Sequence, residues 1–497
     1  MVLGTTSGAG KSWLATALCR WYTQRGFKVA PFKAQNMSNH ARVVANAHGW
    51  GEIGSAQYFQ ALAARSIPEV RMNPVLLKPE VNSTSQVILL GQVNTELTQT
   101  PWRERSEKLW PYITEALNAL RAENDVVIIE GAGSPAEINL MDRDIVNLRV
   151  AQHAQARCLL ITDIDRGGAF AHLYGTWGLL PKADQALIRG FVLNKFRGDL
   201  RLLSPAPEQL LTLTGIPTVA TLPFWREHGL PEEDGLFDDR SQPFAHDART
   251  VAIIAYPCAS NLDEFEPLKK VPNLRLVWAR HPSQLAGLTK NDWLVLPGSK
   301  QTSADLSWLN EGGFAQTVKA HVQLGGGVLG ICGGLQMLGQ RMLDPHGVDG
   351  AADGLALLPV VTEFSKIKTV RHSEVRFASV SGPWAALSNI KCRGYEIHQG
   401  HTQSAAGQAR EVIKDLAWQS VSGAVLGLYL HGLFEDPVVL AALFGVQAPT
   451  LDNVFEGLAD HLDRNIDAGF LKQLIRDCPL DRQRPVRSVN RVVCVSP

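Results

Sequence analysis

Short, almost uninterrupted apolar runs recur along this chain, most of them beside Gly, Asp or Asn. They fall at 126–129, 158–162, 191–193, 251–255, 294–296 and 328–331. A strand that reads as a continuous apolar run is buried on both faces, as in a parallel sheet covered by helices. Intervals such as 102–123 and 301–324 suit crossover helices between such strands. The predicted class is therefore α/β, with open, doubly wound parallel sheets. At 497 residues the chain is too long for one compact domain, since domains average roughly 150 residues. One boundary stands out: PEEDGLFDDRSQPFAHDART is acidic, contains Pro and Gly, and has no apolar period. A fresh strand, VAIIAY, follows at once. This reads as a linker over 231–249 between units at 1–230 and 250–445; a long surface loop is the alternative. Residues 446–497 read as a helical segment ending in a basic, non-periodic tail.

Composition removes several function classes. The chain is 45% hydrophobic and 19% charged, which suits buried cores and argues against disorder. Lys and Arg total 48 and Asp and Glu total 48, so the formal charge is zero. That argues against broad binding to nucleic acid or an anionic membrane. Seven cysteines are scattered without a CxxC pair, which fits a reducing compartment better than a disulfide or zinc framework. With no apolar span of membrane length and no signal-peptide pattern, a soluble, cytoplasmic protein is expected.

Near the start stands GTTSGAGKS, with Gly4, Thr5, Gly8, Gly10, Lys11 and Ser12. A phosphate cradle needs small residues so that backbone N–H groups approach the oxygens. It also needs a Lys for the outer phosphates, a hydroxyl for Mg²⁺ and a following helix N-terminus. WLATALCRWYTQRG supplies that helix, although five residues rather than four separate Gly4 from Gly10. Acidic partners are expected at later strand ends: Glu130 after VVIIE, with Asp142 and Asp144 downstream, and Asp163 after CLLIT. These carboxylates either hold Mg²⁺ opposite Ser12 and position a substrate, or cap helices and form turns. Asn194 in FVLNKFRGD is a candidate reader of a nucleotide base. Lys33 in PFKAQNMSN is either a phosphate contact or a solvated side chain.

The second half carries GGGVLGICGGLQMLGQ, in which a strand runs into Cys332 and a helix follows Gly333 and Gly334. A sharp strand–helix turn exposes its central side chain. The helix N-terminus favours a thiolate, and the Gly333 N–H is placed to donate to an oxyanion. A thiolate nucleophile needs an imidazole base. His431 in GAVLGLYLHGLFED ends an apolar strand, and His398 in YEIHQGHT is its competitor. Gly298 in LVLPGSKQT is a second candidate for the oxyanion hole.

Nine blocks, GTTSGAGKS, PFKAQNMSN, EGAGSPAEIN, DIDRGGAF, NKFRGD, LPGSK, GICGGLQMLG, GYEIHQGHT and YLHGLFE, run in order from residue 4 to about 436. Together they resemble the cobyric acid synthase family, glutamine-dependent amidases of adenosylcobalamin synthesis. AQNMSN after Lys33 separates the chain from the sister cobyrinic acid a,c-diamide synthases. The resemblance implies an N-terminal dethiobiotin-synthetase-like ATPase and a C-terminal, flavodoxin-like class I glutamine amidotransferase domain. It implies amidation of the b, d, e and g carboxylates of adenosylcobyrinic acid a,c-diamide, with glutamine as nitrogen donor. By position, Cys332 becomes the glutaminase nucleophile and His431 its base, while Lys11, Ser12 and Glu130 become ATP–Mg²⁺ residues. A shielded ammonia path between the domains is expected, and a homodimer by analogy with the ATPase fold. Three departures qualify the match. The first strand is short, Gly8 stands where the family usually carries Asp, and Leu433 stands where many class I amidotransferases carry Glu. Glu435 or Glu396 is therefore the expected support for a Cys–His pair. The competing readings are the a,c-diamide synthase, a partitioning-type ATPase acting by binding, and a corrinoid binder without turnover.

Overall fold

The computed structural model describes residues 1–46, 49–80, 85–231, 248–405, 408–446 and 450–476. Most of the 231–249 stretch and the whole of the basic tail lie outside the described residues. The first unit is organised by parallel strands. Val2–Gly4 pairs with Cys158–Asp163, which pairs with Ile188–Phe196 and then Thr218–Pro223. On its other side Val2 bridges Glu130, and the strand Val126–Ile129 pairs with Val29–Phe32. Six parallel strands thus lie side by side with Val2–Gly4 in the middle, each residue of that strand buried. Its hydrogen bonds are made on both edges, so three residues hold a central position.

Between Val29–Phe32 and Val126–Ile129 the chain makes a small antiparallel insert. Val75–Pro79, Ser85–Leu89 and Gln92–Val93 pair in succession, and a separate hairpin joins Ala41–Asn46 to Gly49–Gly54. The amphipathic helix Leu451–Asn465 returns to the first unit and buries Val454, Phe455, Leu458 and Leu462. It packs beside Lys11–Gln24, where the buried Arg20 meets Asp452 and Glu456, and Trp21 donates to Asp463.

The second unit centres on a seven-stranded sheet in the order Leu274–Ala279, Arg249–Ile254, Trp293–Leu296, Gly327–Ile331, Val425–Leu428, Ala417–Gln419, Arg410–Ile413. The first five strands are parallel and the last two antiparallel. A long hairpin, Val360–Arg376 with Lys391–Ser404, reaches from this unit to the first. There Val370, Tyr395 and Ile397 form one apolar cluster with Ala41, Val43, Leu76 and Ile88. Among the described residues no helix is long and apolar enough to cross a membrane.

Candidate active site

Three neighbouring parallel strands of the second unit end at one place. Trp293–Leu296 leads to Gly298, Gly327–Ile331 leads to Cys332, and Val425–Leu428 leads towards His431. Open α/β sheets bind ligands at this carboxyl edge, where loops diverge and helix N-termini converge. Cys332 precedes the helix Gly333–Leu338 with φ of 52° and ψ of −106°, a backbone that an L-residue rarely adopts. Such strain at a strand–helix junction projects the thiol out of the turn. The turn is possible because of the next residues: a Cβ at Gly334 would strike the Leu296 carbonyl. As the first helical residue, Gly333 has an N–H with no intrahelical acceptor. Its Cα lies against the Gly298–Ser299 strand, since a Cβ there would come within 2.8 Å of the Ser299 nitrogen. Both glycines named from the sequence thus border the Cys332 turn.

His431 is bracketed by Tyr395, whose N–H donates to the His431 carbonyl at 3.1 Å and whose carbonyl accepts the His431 N–H at 2.8 Å. The Tyr395 ring stacks on the imidazole, 5.3 Å between centroids. Behind it, Glu264 meets His431 Nδ1 at 3.0 Å and accepts the Gly432 N–H at 2.8 Å. Burial alone would lower the imidazole pKa; the Glu264 carboxylate and a hydrogen bond with Cys332 outweigh it and push it up to about 10. Glu264 thus holds one side of the imidazole, Cys332 meets it in a side-chain hydrogen bond, and the thiol also donates to the Ile397 carbonyl at 3.5 Å.

The third member corrects the expectation from sequence. Glu435 is engaged by Arg42, at 2.6 and 2.8 Å. Glu396 binds Arg371 at 2.8 Å, His398 at 3.2 Å and Ser373. Burial would raise the Glu396 pKa, but these donors bring it down to about 2. His398 stacks on Tyr429 and turns Nδ1 to the Gly400 carbonyl, 2.9 Å away. Glu264 escaped notice because NLDEFEPLKK reads as an acidic surface turn. The signal that could have found it is the spacing of Leu262, Phe265 and Leu268, which are buried with Glu264 in the 3-10 helix Leu262–Lys270.

The second candidate centre lies at the carboxyl edge of the first sheet. Gly8 and Gly10 take φ of 68° and 104°, turning the loop before the helix Lys11–Gln24. Lys11 Nζ donates to the Thr6 carbonyl at 3.0 Å and the Gly133 carbonyl at 3.1 Å. Ser12 donates to Glu130 at 2.8 Å, and Lys33 meets the same carboxylate at 2.8 Å. Burial would raise the Glu130 pKa; Lys33, together with the hydrogen bonds from Gln60 and Ser12, brings it below the usual carboxylate range. Gln57 and Gln60 also donate to Glu130, while their own Oε1 atoms are buried without hydrogen-bond partners among the described residues. Orphan acceptors beside a carboxylate and a serine hydroxyl fit a hydrated Mg²⁺ with nucleotide phosphates.

The opposite wall holds Asn194, which donates to the Ala9 carbonyl, and Asp163, which meets Lys195 at 3.1 Å and Arg166 at 3.5 Å. Lys195 also donates to the Gly8 carbonyl at 2.9 Å. Thr5 shares a hydrogen bond with Thr162. Ser12, Glu130 and Lys33 are thus brought together, with Asp163 and Asn194 across the loop. The two downstream acids are placed differently. Asp142 is largely exposed and pairs with Arg143, while Asp144 accepts the N–H groups of Val146, Asn147 and Leu148. The turn-forming alternative describes what Asp144 does here.

The family model of the CobQ/CobB/MinD/ParA nucleotide binding domain matches residues 1–232, and that of the CobB/CobQ-like glutamine amidotransferase domain matches 250–438. A cobyric acid synthase of Variovorax paradoxus (strain S110) is 66% identical over 479 residues, covering 96% of this chain and 98% of its own. The chain belongs to the cobyric acid synthase family. Two further cobyric acid synthases share this similarity. That of Polaromonas naphthalenivorans (strain CJ2) is 64% identical and that of Methylibium petroleiphilum (strain ATCC BAA-1232 / LMG 22953 / PM1) is 57% identical; each alignment covers 96% of this chain, with 99% and 96% of the relative. The cobyric acid synthase family thus accounts for both centres in one chain.

Proposed function

We propose that the chain is a glutamine-hydrolysing, ATP-driven amidoligase that converts adenosylcobyrinic acid a,c-diamide to adenosylcobyric acid in the cytoplasm. The observation that carries this reading is the Cys332–His431–Glu264 alignment in the same chain as the phosphate loop. Cys332 attacks the glutamine side-chain amide as the thiolate. The oxyanion meets the N–H groups near Gly333 and Gly298, and His431 gives its proton to the departing ammonia. Glu264 holds the imidazole so that its other nitrogen faces the sulfur. Water then releases glutamate from the thioester, with His431 taking the proton.

At the other centre a carboxylate becomes reactive towards ammonia only when its oxygen is made a leaving group. Bound ATP with Mg²⁺ supplies that chemistry. Lys11, the loop N–H groups and the helix N-terminus would hold the phosphates, and Ser12 and Glu130, with Asp163, would hold the metal. Ammonia that meets water is protonated and inert, so the apolar contact of Ala41, Val43 and Leu76 with Tyr395 and Ile397 supports transfer inside the molecule.

The reading is tested by mass spectrometry of the corrinoid after incubation with the chain, ATP–Mg²⁺ and amide-labelled glutamine. Stepwise incorporation of up to four labelled nitrogens is expected. Label entering cobyrinic acid at the a and c positions, with none at b, d, e or g, would instead favour the sister synthase.

A further inference from the structure

The glutaminase centre is built by the second unit, yet one side chain of the first unit reaches into its support. Arg42, on the strand Ala41–Asn46, is almost completely buried. A guanidinium leaves water only where charges and donors are matched. Here it meets Asp263, through Nε at 3.1 Å, and Glu435, at 2.6 and 2.8 Å. Asp263 is the chain neighbour of Glu264. Glu435 ends the turn Leu433–Glu435 directly after His431 and Gly432. The two acids that Arg42 ties together therefore sit on the two segments that carry the orienting carboxylate and the base. A third contact converges on the same pair: the guanidinium lies 5.2 Å from the Tyr395 ring, which stacks on His431. Towards its own unit, Arg42 lies 5.0 and 5.7 Å from the rings of Phe59 and Tyr58. These residues belong to the helix Ser55–Ala63, whose Gln57 and Gln60 donate to Glu130.

We propose that Arg42 is a positioning residue of the glutaminase, supplied by the nucleotide-binding unit, which holds Glu264 and His431 in line with Cys332 and ties them to the helix behind Glu130. The inference rests on the glutaminase role given above to Cys332 and His431. A planar fork bridging two carboxylates while stacking on a ring is a geometry that Arg satisfies and Lys satisfies only in part. Without it, the buried carboxylate of Asp263 and the partly exposed carboxylate of Glu435 lose their cation beside Glu264, and the segments bearing the base and its support lose their common anchor. Loss of a residue that does not itself touch the substrate, but that holds a catalytic group in place, affects turnover more than substrate binding.

The test uses the full chain as wild type, Arg42→Met and Arg42→Lys. Glutamate release from glutamine and corrinoid amidation driven by ammonium chloride are measured side by side. Arg42→Met is expected to lose about 10- to 100-fold in kcat for glutamate release, with KM for glutamine moving less than about two-fold. Arg42→Lys should recover part of that loss, and all three proteins should retain ammonium-driven amidation. An undiminished kcat in Arg42→Met overturns the proposal. A loss confined to KM also overturns it, as does an equal loss of ammonium-driven amidation, which would make Arg42 a general strut. If Arg42→Met does not fold, Arg42→Lys decides: wild-type kcat overturns the proposal, and reduced kcat with ammonium-driven amidation intact supports it. Wild type that releases no glutamate removes the glutaminase reading itself, a result distinct from an active wild type with an equally active Arg42→Met.

Discussion

A buried imidazole ordinarily sheds its proton, but His431 is held at about 10 because Glu264 and the hydrogen bond with Cys332 outweigh desolvation. The folded chain keeps this proton up to about pH 10, whereas an unperturbed His releases it near 6.5. The folded state thus binds more protons between those values. The stabilisation is complete below about 6.5 and disappears as the pH rises towards 10. Unfolding followed across that window should show stability falling in wild type and a flatter curve in His431→Gln; parallel curves would contradict the assignment. Glu264→Gln keeps the shape but not the charge, and by analogy with the buried Asp of serine proteases should lower glutamine turnover by about 100-fold or more. Turnover within a few-fold of wild type would remove Glu264 from the site. Cys332 and His431 stand out in the sequence because each follows an apolar run, at the strand edge where loops diverge. Glu264 does not, because an acidic residue in the charge-rich stretch Leu262–Lys270 looks solvated until the fold buries it.

The strands that position both centres were legible as elements, because two-sided burial writes itself as continuous apolar sequence. The elements without that signature were not. Val360–Arg376 exposes much of its length and reads as the polar VVTEFSKIKTVRHSEVR, and its strand character depends on pairing with Lys391–Ser404. Similarly, Ala41–Asn46 and Gly49–Gly54 form a hairpin whose sequence carries no β-turn dipeptide of the common kind. The Cys332 junction depends on close approach between elements. Gly334→Ala would press a methyl group against the Leu296 carbonyl and should destabilise the second unit by about 1–3 kcal/mol, with loss of glutaminase activity. Calorimetry checks this: an unchanged melting temperature would mean that the helix Gly333–Leu338 can move away from its sheet without cost.

At the scale of the molecule, two units and a compositional break between them could be read from sequence, but their docking could not. The contact is built from residues that look like surface. Lys78 and Lys368 converge on Glu52, Lys300 meets Glu80 at 3.0 Å, and His372 bonds the Val43 carbonyl at 2.9 Å. Burial would raise the Glu52 pKa, yet the two lysines bring it down to about 2, while burial lowers Lys78 to about 7. Glu52→Gln leaves Lys78 and Lys368 at the contact without their acid, and removal of one partner of a buried pair costs about 3–5 kcal/mol. The variant should unfold earlier and release more glutamate per corrinoid amide formed, because ammonia escapes a loosened junction. An unchanged ratio of the two products would place ammonia transfer elsewhere.

The most direct test of the two-centre account is a swap of nitrogen source in Cys332→Ala. The variant, given ATP–Mg²⁺ and adenosylcobyrinic acid a,c-diamide, should form no amide from glutamine and should regain stepwise amidation when ammonium salt is added. Glutamine-driven amidation by Cys332→Ala at the wild-type rate would contradict the account, because the nitrogen would then be released without the thiol at the head of the Gly333–Leu338 helix.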